Sequence, residues 1–440
     1  MSLPLFVGVD VHRKDNHFHC LDPTGQTLAT FKQRNNRVGT ERAIAQLTAL
    51  LQQGCCDELR LAAEATNWYW LPFFQLLASD PTLNQFSLKL YAFNPRVTAK
   101  YRDTFLDLDK DDPEDALLLA DRLRLGRELP HPFIFDADAL ALRTLTRLRH
   151  RLTHELTMAK LYCLNWVYLK ASSSTLAGTA AFDKPFSPTS VKVLSEFATL
   201  DELAAMPLDE LAAWLEQQGR GSFADVERTA LKLHTIARDS YQLPSPLAKS
   251  VDVTVRLNLQ RVTQLERLRT QLDRAISDQL AVHPNTLTSI PGIGPVYAAG
   301  IVAEIGDITR FGGNEAKVAK MAGLKWRKNK SADRASEETP LTRRGNVYLR
   351  YYLCEAANSV RMHDVNYAAY YEKKHNEVPK HKHKRAVTLT ARKLVRLVVR
   401  LLTTNEPYQA RRQAETRNEA EQERLTRRLA RRPRSTEGAR

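Results

Sequence analysis

Four carboxylates and one serine are the residues of this 440-residue chain whose types and spacing could do chemistry. Asp112 and Asp115 lie three apart in LDKDDPEDALLLADRLR, Leu108 to Arg124. Proline is best tolerated in a first helical turn, so Pro113 puts both acids at the mouth of a helix, and positions three apart share a face. Such a pair either holds a hard divalent cation, which takes carboxylate oxygens, or satisfies the orphan amides and dipole of the helix start. The choice turns on whether other acids arrive. Asp10 follows the apolar run PLFVGV and Glu64 closes ELRLAAEA, both of which read as strands. Four acids at the ends of buried elements converge badly unless a cation neutralises them, which favours metal. A two-metal cluster would align phosphate and nucleophile for an in-line displacement. Ser331 sits in GLKWRKNKSADRASEETPLTRRGN among Lys325, Arg327, Lys328, Lys330 and Arg334. By its surroundings alone it reads as a phosphate-contact residue, because no His/Asp relay is near enough in sequence to activate a nucleophile.

The elements that must position these residues follow from hydrophobic period. NHFHCLD (16–22) and TLATFKQ (27–33) alternate and are split by a Pro-Thr-Gly turn, giving a meander of strands after residues 4–9. Val38 to Gln53 has helical spacing, Glu58 to Ala65 is a strand, NWYWLPFFQLL opens a helix, and LKLYAFNP (88–95) is a strand closed by Asn-Pro. A helix from Pro113 to about Gly126 completes the series. Strand-strand-strand-helix-strand-helix-strand-helix is the order of the RNase H/RuvC-like α/β nuclease core, and a domain spanning 1–130 is expected. In that fold a central strand, its neighbour and a late helix supply the acids, here Asp10, Glu64 and the Asp112/Asp115 pair.

Residues 131–283 read as a helical, coiled-coil region. HPFIFDA (131–137) is a linker, and a long helix from Asp138 to Ala171 carries the stripe Leu145, Leu148, Leu152, Leu156, Ala159, Cys163 and Trp166. SSSTLAGT breaks it ahead of a small helical insert, 172–223. A second helical stretch, Ala224 to Val282, is interrupted near Pro244 and Pro246 and bears Val255, Leu259, Val262, Leu265, Leu268, Leu272, Ile276 and Leu280. The two stripes pair either with each other as a hairpin or with a second subunit as a coiled coil.

A third, mostly α-helical domain is expected over 284–405. LTSIPGIGPVYAAGIVAEIG (287–306) has a helix-hairpin-helix pattern in which Gly292 and Gly294 permit close backbone approach, so that amides at the next helix start receive a phosphate. Arg343 and Arg344 precede a helix, and HNEVPKHKHKRA (375–386) holds Lys382, Lys384 and Arg385 among His375, His381 and His383. The alternating Lys/His spacing favours nucleic-acid backbone contact over metal binding. From Lys317 to Leu402 there are 21 Lys and Arg against 7 Asp and Glu, and within the 406–440 tail Arg411 to Arg440 has 10 Arg against 5 Glu. The net charge is +15, so the rest of the chain is slightly acidic, and a polyanion is expected on the C-terminal half. The five cysteines show no C-x-x-C pair and no disulfide-like density, which points to a reduced intracellular compartment. No apolar run is long enough to span a membrane, and the N-terminus lacks the apolar block of a signal peptide.

Taken together, VGVDVHRKD, AAEATNWYW, DDPEDA, IPGIGPVYAAGIVAEIGD, AGLKWRKNKSAD and RRGNVYLRYYLCEAAN resemble a known family over nearly the whole chain. It is that of the insertion-sequence transposases joining a DEDD-type RuvC-like domain to a C-terminal catalytic-serine domain, the bridge-RNA-guided recombinases. The family usually has Gln and Gly around its serine, where this chain has Lys330 and Ala332. The resemblance implies that Asp10, Glu64, Asp112 and Asp115 hold magnesium, as two ions, and that Ser331 attacks the scissile phosphodiester to give a phosphoserine link. It implies donor and target double-stranded DNA as substrates, a guide RNA as partner, and a homodimer assembling to a tetramer with a composite active site. A metal-dependent junction nuclease using water as nucleophile is the alternative.

Overall fold

An apolar run that is buried on both faces makes a central strand, and β1 (Pro4–Val11) is one. In the computed structural model the described residues are 3–105, 112–127, 129–176, 180–197, 199–219, 223–283, 285–326, 330–331, 334–335, 341–342 and 344–409. They form two compact units, divided between Leu140 and Ala141.

In the first unit, β1 is followed by β2 (Asp15–Leu21), β3 (Thr27–Arg34), α1 (Arg37–Gln53), β4 (Glu58–Glu64), α2 (Trp70–Ser79), β5 (Ser87–Phe93), α3 (Pro95–Arg102) and α4 (Asp112–Leu125). The five strands lie in the order β3-β2-β1-β4-β5, with β1–β2 and β2–β3 antiparallel and β1–β4 and β4–β5 parallel. Side chains alternate across a strand, and the two faces of β1 are used differently. Leu5, Val7 and Val9 pack with Ile44, Leu47 and Leu51 of α1 and Phe73, Phe74 and Leu77 of α2. Phe6, with Ala62 of β4 and Tyr91 and Phe93 of β5, meets Leu119, Ala120 and Leu123 of α4 on the opposite face. Full burial of each such aliphatic or aromatic side chain contributes roughly 1.5–3 kcal/mol. Residues 131–137, read above as a linker, dock on the sheet through Phe133. Its amide donates to the Leu90 carbonyl at 2.6 Å, and its ring meets Trp70 and Phe74 edge-on.

The second unit is helical. It contains α5 (Ala137–Lys170, from Ala141 onward), α6 (Pro188–Glu196), α7 (Leu200–Ala205), α8 (Leu208–Gly219), α9 (Val226–Asp239), α10 (Ser245–Ala281), α11 (Pro295–Ile305) and α12 (Glu315–Met321). A two-residue pair, β6 (Lys330–Ser331) and β7 (Arg334–Ala335), comes next, then α13 (Val347–His363), α14 (Val365–Asn376) and α15 (Lys382–Thr404). Of the two pairings left open for the long helices, the intramolecular one is present, and it is antiparallel. Cys163 and Val167 of α5 pack with Val251, Val255 and Leu259 of α10, and Leu156 and Ala159 pack with Val262. Arg149 reaches Asp273 at 2.6 Å and Lys160 reaches Glu266 at 2.5 Å. The expected stripes fail in places: Leu148 and Leu268 are exposed, and Val167 is more buried than Trp166. A straight helix drifts off a 3.5-residue seam, so the buried line moves sideways along its length. Helices α6 to α9 enclose their own cluster around Val193, Leu211, Leu215 and Leu233. The core of the unit gathers α11, α13 and α15 around Tyr352, whose ring lies so close to Gly300 that no Cβ fits there. The Tyr352 hydroxyl donates to the Thr146 carbonyl of α5 at 2.7 Å. The apolar helix expected before the Pro-Gly-Ile-Gly turn is a single 3-10 turn, Leu287–Ser289, while the helix after it is α11.

Candidate active site

The sheet register brings the N-terminal acids together. Val9 pairs with Ala63 in the parallel β1–β4 ladder, so Asp10 and Glu64 stand one position further along their strands, side by side at the carboxyl edge. Both follow the α4-facing side of the sheet, Asp10 after Phe6 and Gly8, Glu64 after Ala62. Gly8 is what lets α4 approach. A Cβ built there would lie 1.9 Å from the Ala116 carbonyl oxygen and 2.5 Å from the Ala120 nitrogen. With the helix pressed against β1, its first residue, Asp112, reaches the end of the strand.

Asp10, His12 and Asp112 each offer one ligand atom, and these atoms lie within 4.8 Å of one another. His12 Nε2 is 3.0 Å from Asp10 Oδ2 and 3.2 Å from Asp112 Oδ1. His17, directly across the antiparallel ladder from Asp10, places its Nε2 3.3 Å from Asp112 Oδ2. Both oxygens of Asp112 therefore lie within reach of imidazoles. Burial holds the Asp10 carboxyl above its ordinary range, His12 pulls it down, and the Asp112 charge adds to the rise. Glu58, at the other end of β4, is the opposite case. Hydrogen bonds from Arg60 and Lys89 hold it at about 2, as expected of a paired structural acid. Two carboxylates and an imidazole converging at a half-buried strand end fit a divalent cation by donor type.

The other two expected acids are not among the three whose ligand atoms converge. Asp115 is paired with Arg102 of α3, and Glu64 Oε1 accepts from Thr66 Oγ1 at 2.6 Å. The two histidines escaped the sequence reading, though a signal was there. VDVHRKDNHFH puts one imidazole just past Asp10 and another where the returning strand must face it.

In the second unit the serine segment is carried on an antiparallel ladder. Trp326 pairs with Leu341, the Thr342 amide donates to the Lys325 carbonyl at 2.8 Å, and Ser331 pairs with Arg334. The ladder's root is closed by two glycines at positive φ, Gly323 (+70°) and Gly345 (+137°), where backbone packs on backbone. Just beyond, Asn346 caps α13 and donates to Glu304 at 2.6 Å, while Arg147 grips the same buried carboxylate at 2.7 and 2.9 Å. Lys325, Arg344, Lys382 and Lys384 are exposed; Arg385 is engaged with Glu377 at 3.2 Å. Arg327, Lys328 and Arg343 lie outside the described residues, and of Lys330, Ser331 and Arg334 the backbone alone is described. Gly292, at φ +92°, packs on α13 near Ser359 and Val360, whereas Gly294 opens to free space at the start of α11. His383 Nδ1 lies 2.7 Å from the Tyr371 hydroxyl, and His375 lies beside Asn376, so neither joins a ligand cluster among the described residues.

Two family models match parts of the chain. Residues 7–166 match the DEDD-type IS110 transposase domain, and residues 285–372 match the transposase family IS116/IS110/IS902. The mini-circle protein of IS117 from Streptomyces coelicolor, which bears the name of a transposase, is 27% identical over 315 residues, 70% of this chain and 72% of its own length. The 42 kDa protein of insertion element IS900 from Mycobacterium paratuberculosis is 24% identical over 93% of this chain and 98% of its own. The 44.8 kDa protein of IS116 from Streptomyces clavuligerus is 24% identical over 85% of this chain and 88% of its own. With one profile on the sheet that carries the acids and the other on the helices around the serine ladder, the chain belongs to the IS110/IS116 family of transposases.

Proposed function

We propose that this transposase cuts and rejoins DNA through Ser331, assisted by divalent metal, magnesium by its preference for carboxylates, held at Asp10 and Asp112 with His12, Glu64 and Asp115 beside them. The observation that carries the reading is the convergence of Asp10, His12 and Asp112 at one strand end. A cation bound there would draw charge from the scissile phosphate. Ser331 Oγ forms a bond to phosphorus, the bond to one deoxyribose oxygen breaks, and the hydroxyl proton passes to that leaving oxygen. Reversal on a second strand end rejoins the DNA and frees the serine. Lys325, Arg327, Lys328, Lys330, Arg334, Arg343 and Arg344 would balance charge growing on the phosphate. Lys382, Lys384 and Arg385 and the amides after Gly292 and Gly294 would hold the DNA backbone without reading sequence. Target choice is assigned to a structured guide RNA, and the working unit to a dimer that assembles into a tetramer. The distinguishing experiment is cleavage of a recombination substrate by Ser331→Ala, with trapping of the protein-DNA adduct. Loss of both adduct and strand exchange is expected, and an adduct that survives excludes Ser331.

The second reading, a metal-dependent nuclease in which water attacks, is favoured by one fact. The candidate cation ligands all belong to the sheet-bearing unit and need nothing from the serine ladder. Under it Ser331→Ala still cleaves, while Asp10→Asn does not.

A further inference from the structure

On the sheet-bearing unit, between the starts of α1 and α2 and the segments leaving β1 and β4, lies a cleft of about 470 Å³ that the reaction scheme above leaves unused. Its walls include Arg13, Asn36, Arg37, Trp68 and Tyr69. Trp68 and Tyr69 are 46% and 39% exposed, although they directly precede Trp70, which is buried against Phe74 and Phe133. One aromatic of the Asn-Trp-Tyr-Trp run therefore builds the core, and the other two are held out in solvent. Asn67, at φ +52°, makes the turn that separates them from β4. Holding two large aromatics at the surface forgoes burial energy, and such exposure beside arginines is the composition of a stacking site.

Asn35, another of its lining residues, ties the cleft to the main chain at His12. The Asn35 side-chain amide donates to the His12 carbonyl at 2.8 Å and to the Tyr69 carbonyl at 3.3 Å, and its oxygen accepts from Asn16 at 3.3 Å. One side chain thus ties the segment leaving β1, which bears His12 and Arg13, to the segment leaving β4, which bears Trp68 and Tyr69.

We infer that this cleft binds one unpaired nucleotide of the nucleic-acid strand at the acid cluster, its base stacked on Trp68 or Tyr69 and a flanking phosphate paired with Arg13 or Arg37. The volume is within the range of small-molecule sites, and every base has a face to stack, so capture is independent of sequence. The inference rests on the nuclease reading only in placing that nucleotide next to the scissile phosphate. Both a DNA strand opened at the cut and a guide-RNA loop present this chemistry.

The test uses the full chain and single-stranded oligonucleotides carrying 2-aminopurine, one set DNA and one set RNA, with a blunt DNA duplex as control. Trp68→Ala is expected to weaken single-strand binding and 2-aminopurine quenching by about 5- to 100-fold while leaving duplex affinity within about twofold. Trp68→Phe restores most of the loss, and Arg13→Gln weakens single-strand binding with quenching at saturation retained. A loss confined to DNA or to RNA identifies which strand supplies the nucleotide. Unchanged single-strand binding by Trp68→Ala, or an equal loss for strand and duplex in protein whose melting temperature is unaltered, overturns the inference. Oligonucleotide binding measured without divalent metal bears on the cleft alone, and cleavage by Asp10→Asn bears on the nuclease reading alone.

Discussion

Asp10 is where the energetics of the site are concentrated. Its carboxyl is held above the ordinary range by burial, so folding favours its neutral form. The sign follows: the stability this residue contributes falls as pH rises above about 4 through the raised folded-state value, and it stays low at neutral pH. Asp10→Asn should therefore raise stability at pH 7 without metal, by about 0.5–2 kcal/mol, and flatten the acid limb of a melting-temperature profile. Added magnesium or manganese should stabilise the unaltered protein by about 2.7 kcal/mol at a hundred times its dissociation constant and leave Asp10→Asn unmoved. An equal shift in both proteins would place the metal elsewhere. His12→Ala tests the imidazole in the same way; about a 10- to 100-fold loss of metal affinity by calorimetry is expected. Asp10 and Glu64 stood out in the sequence because each closes an apolar run, and Asp112 and Asp115 because Pro113 marks a helix start. The imidazoles were not, because His12 and His17 become neighbours of Asp112 only when β2 folds back on β1 and a helix one hundred residues away arrives.

At the level of elements, glycines set the distances. Gly8→Ala would drive a methyl group into the α4 backbone, so the helix must shift and carry Asp112 away from Asp10. Overpacking of this kind costs about 1–3 kcal/mol, and a loss of metal-induced stabilisation larger than the loss of fold stability is the expected signature in denaturant titrations. Glu304 plays the corresponding part in the helical unit, joining Arg147 of α5 to the Asn346 cap of α13. Glu304→Ala leaves the half-buried Arg147 guanidinium and the Asn346 amide without their buried carboxylate and should destabilise by about 1–3 kcal/mol in urea unfolding. Helix α3 was not foreseen, whereas the five strands, their meander and helices α1, α2 and α4 could be read from period and turn residues. Contacts such as Gly8 on Ala116 or Gly300 on Tyr352 could not, since a glycine in a strand or helix looks the same in sequence whether it faces solvent or another backbone.

Across the whole molecule, basic charge is concentrated on the second unit and the acids that matter on the first. Duplex binding should then weaken with salt, log affinity falling by roughly 0.9 per phosphate neutralised for each decade of salt. Substituting exposed Lys382 and Lys384 together by alanine should reduce that slope by about 2, measured by anisotropy at several salt concentrations; an unchanged slope removes them from the interface. Helix α4 lies against β1, β2 and β4, with Ala116, Leu118, Leu119, Ala120 and Leu123 all buried. Its place is kept by this packing. A backbone cut between residues 105 and 112 would leave two fragments able to reassociate, so that half of the metal-binding apparatus could be withheld and then restored by mixing.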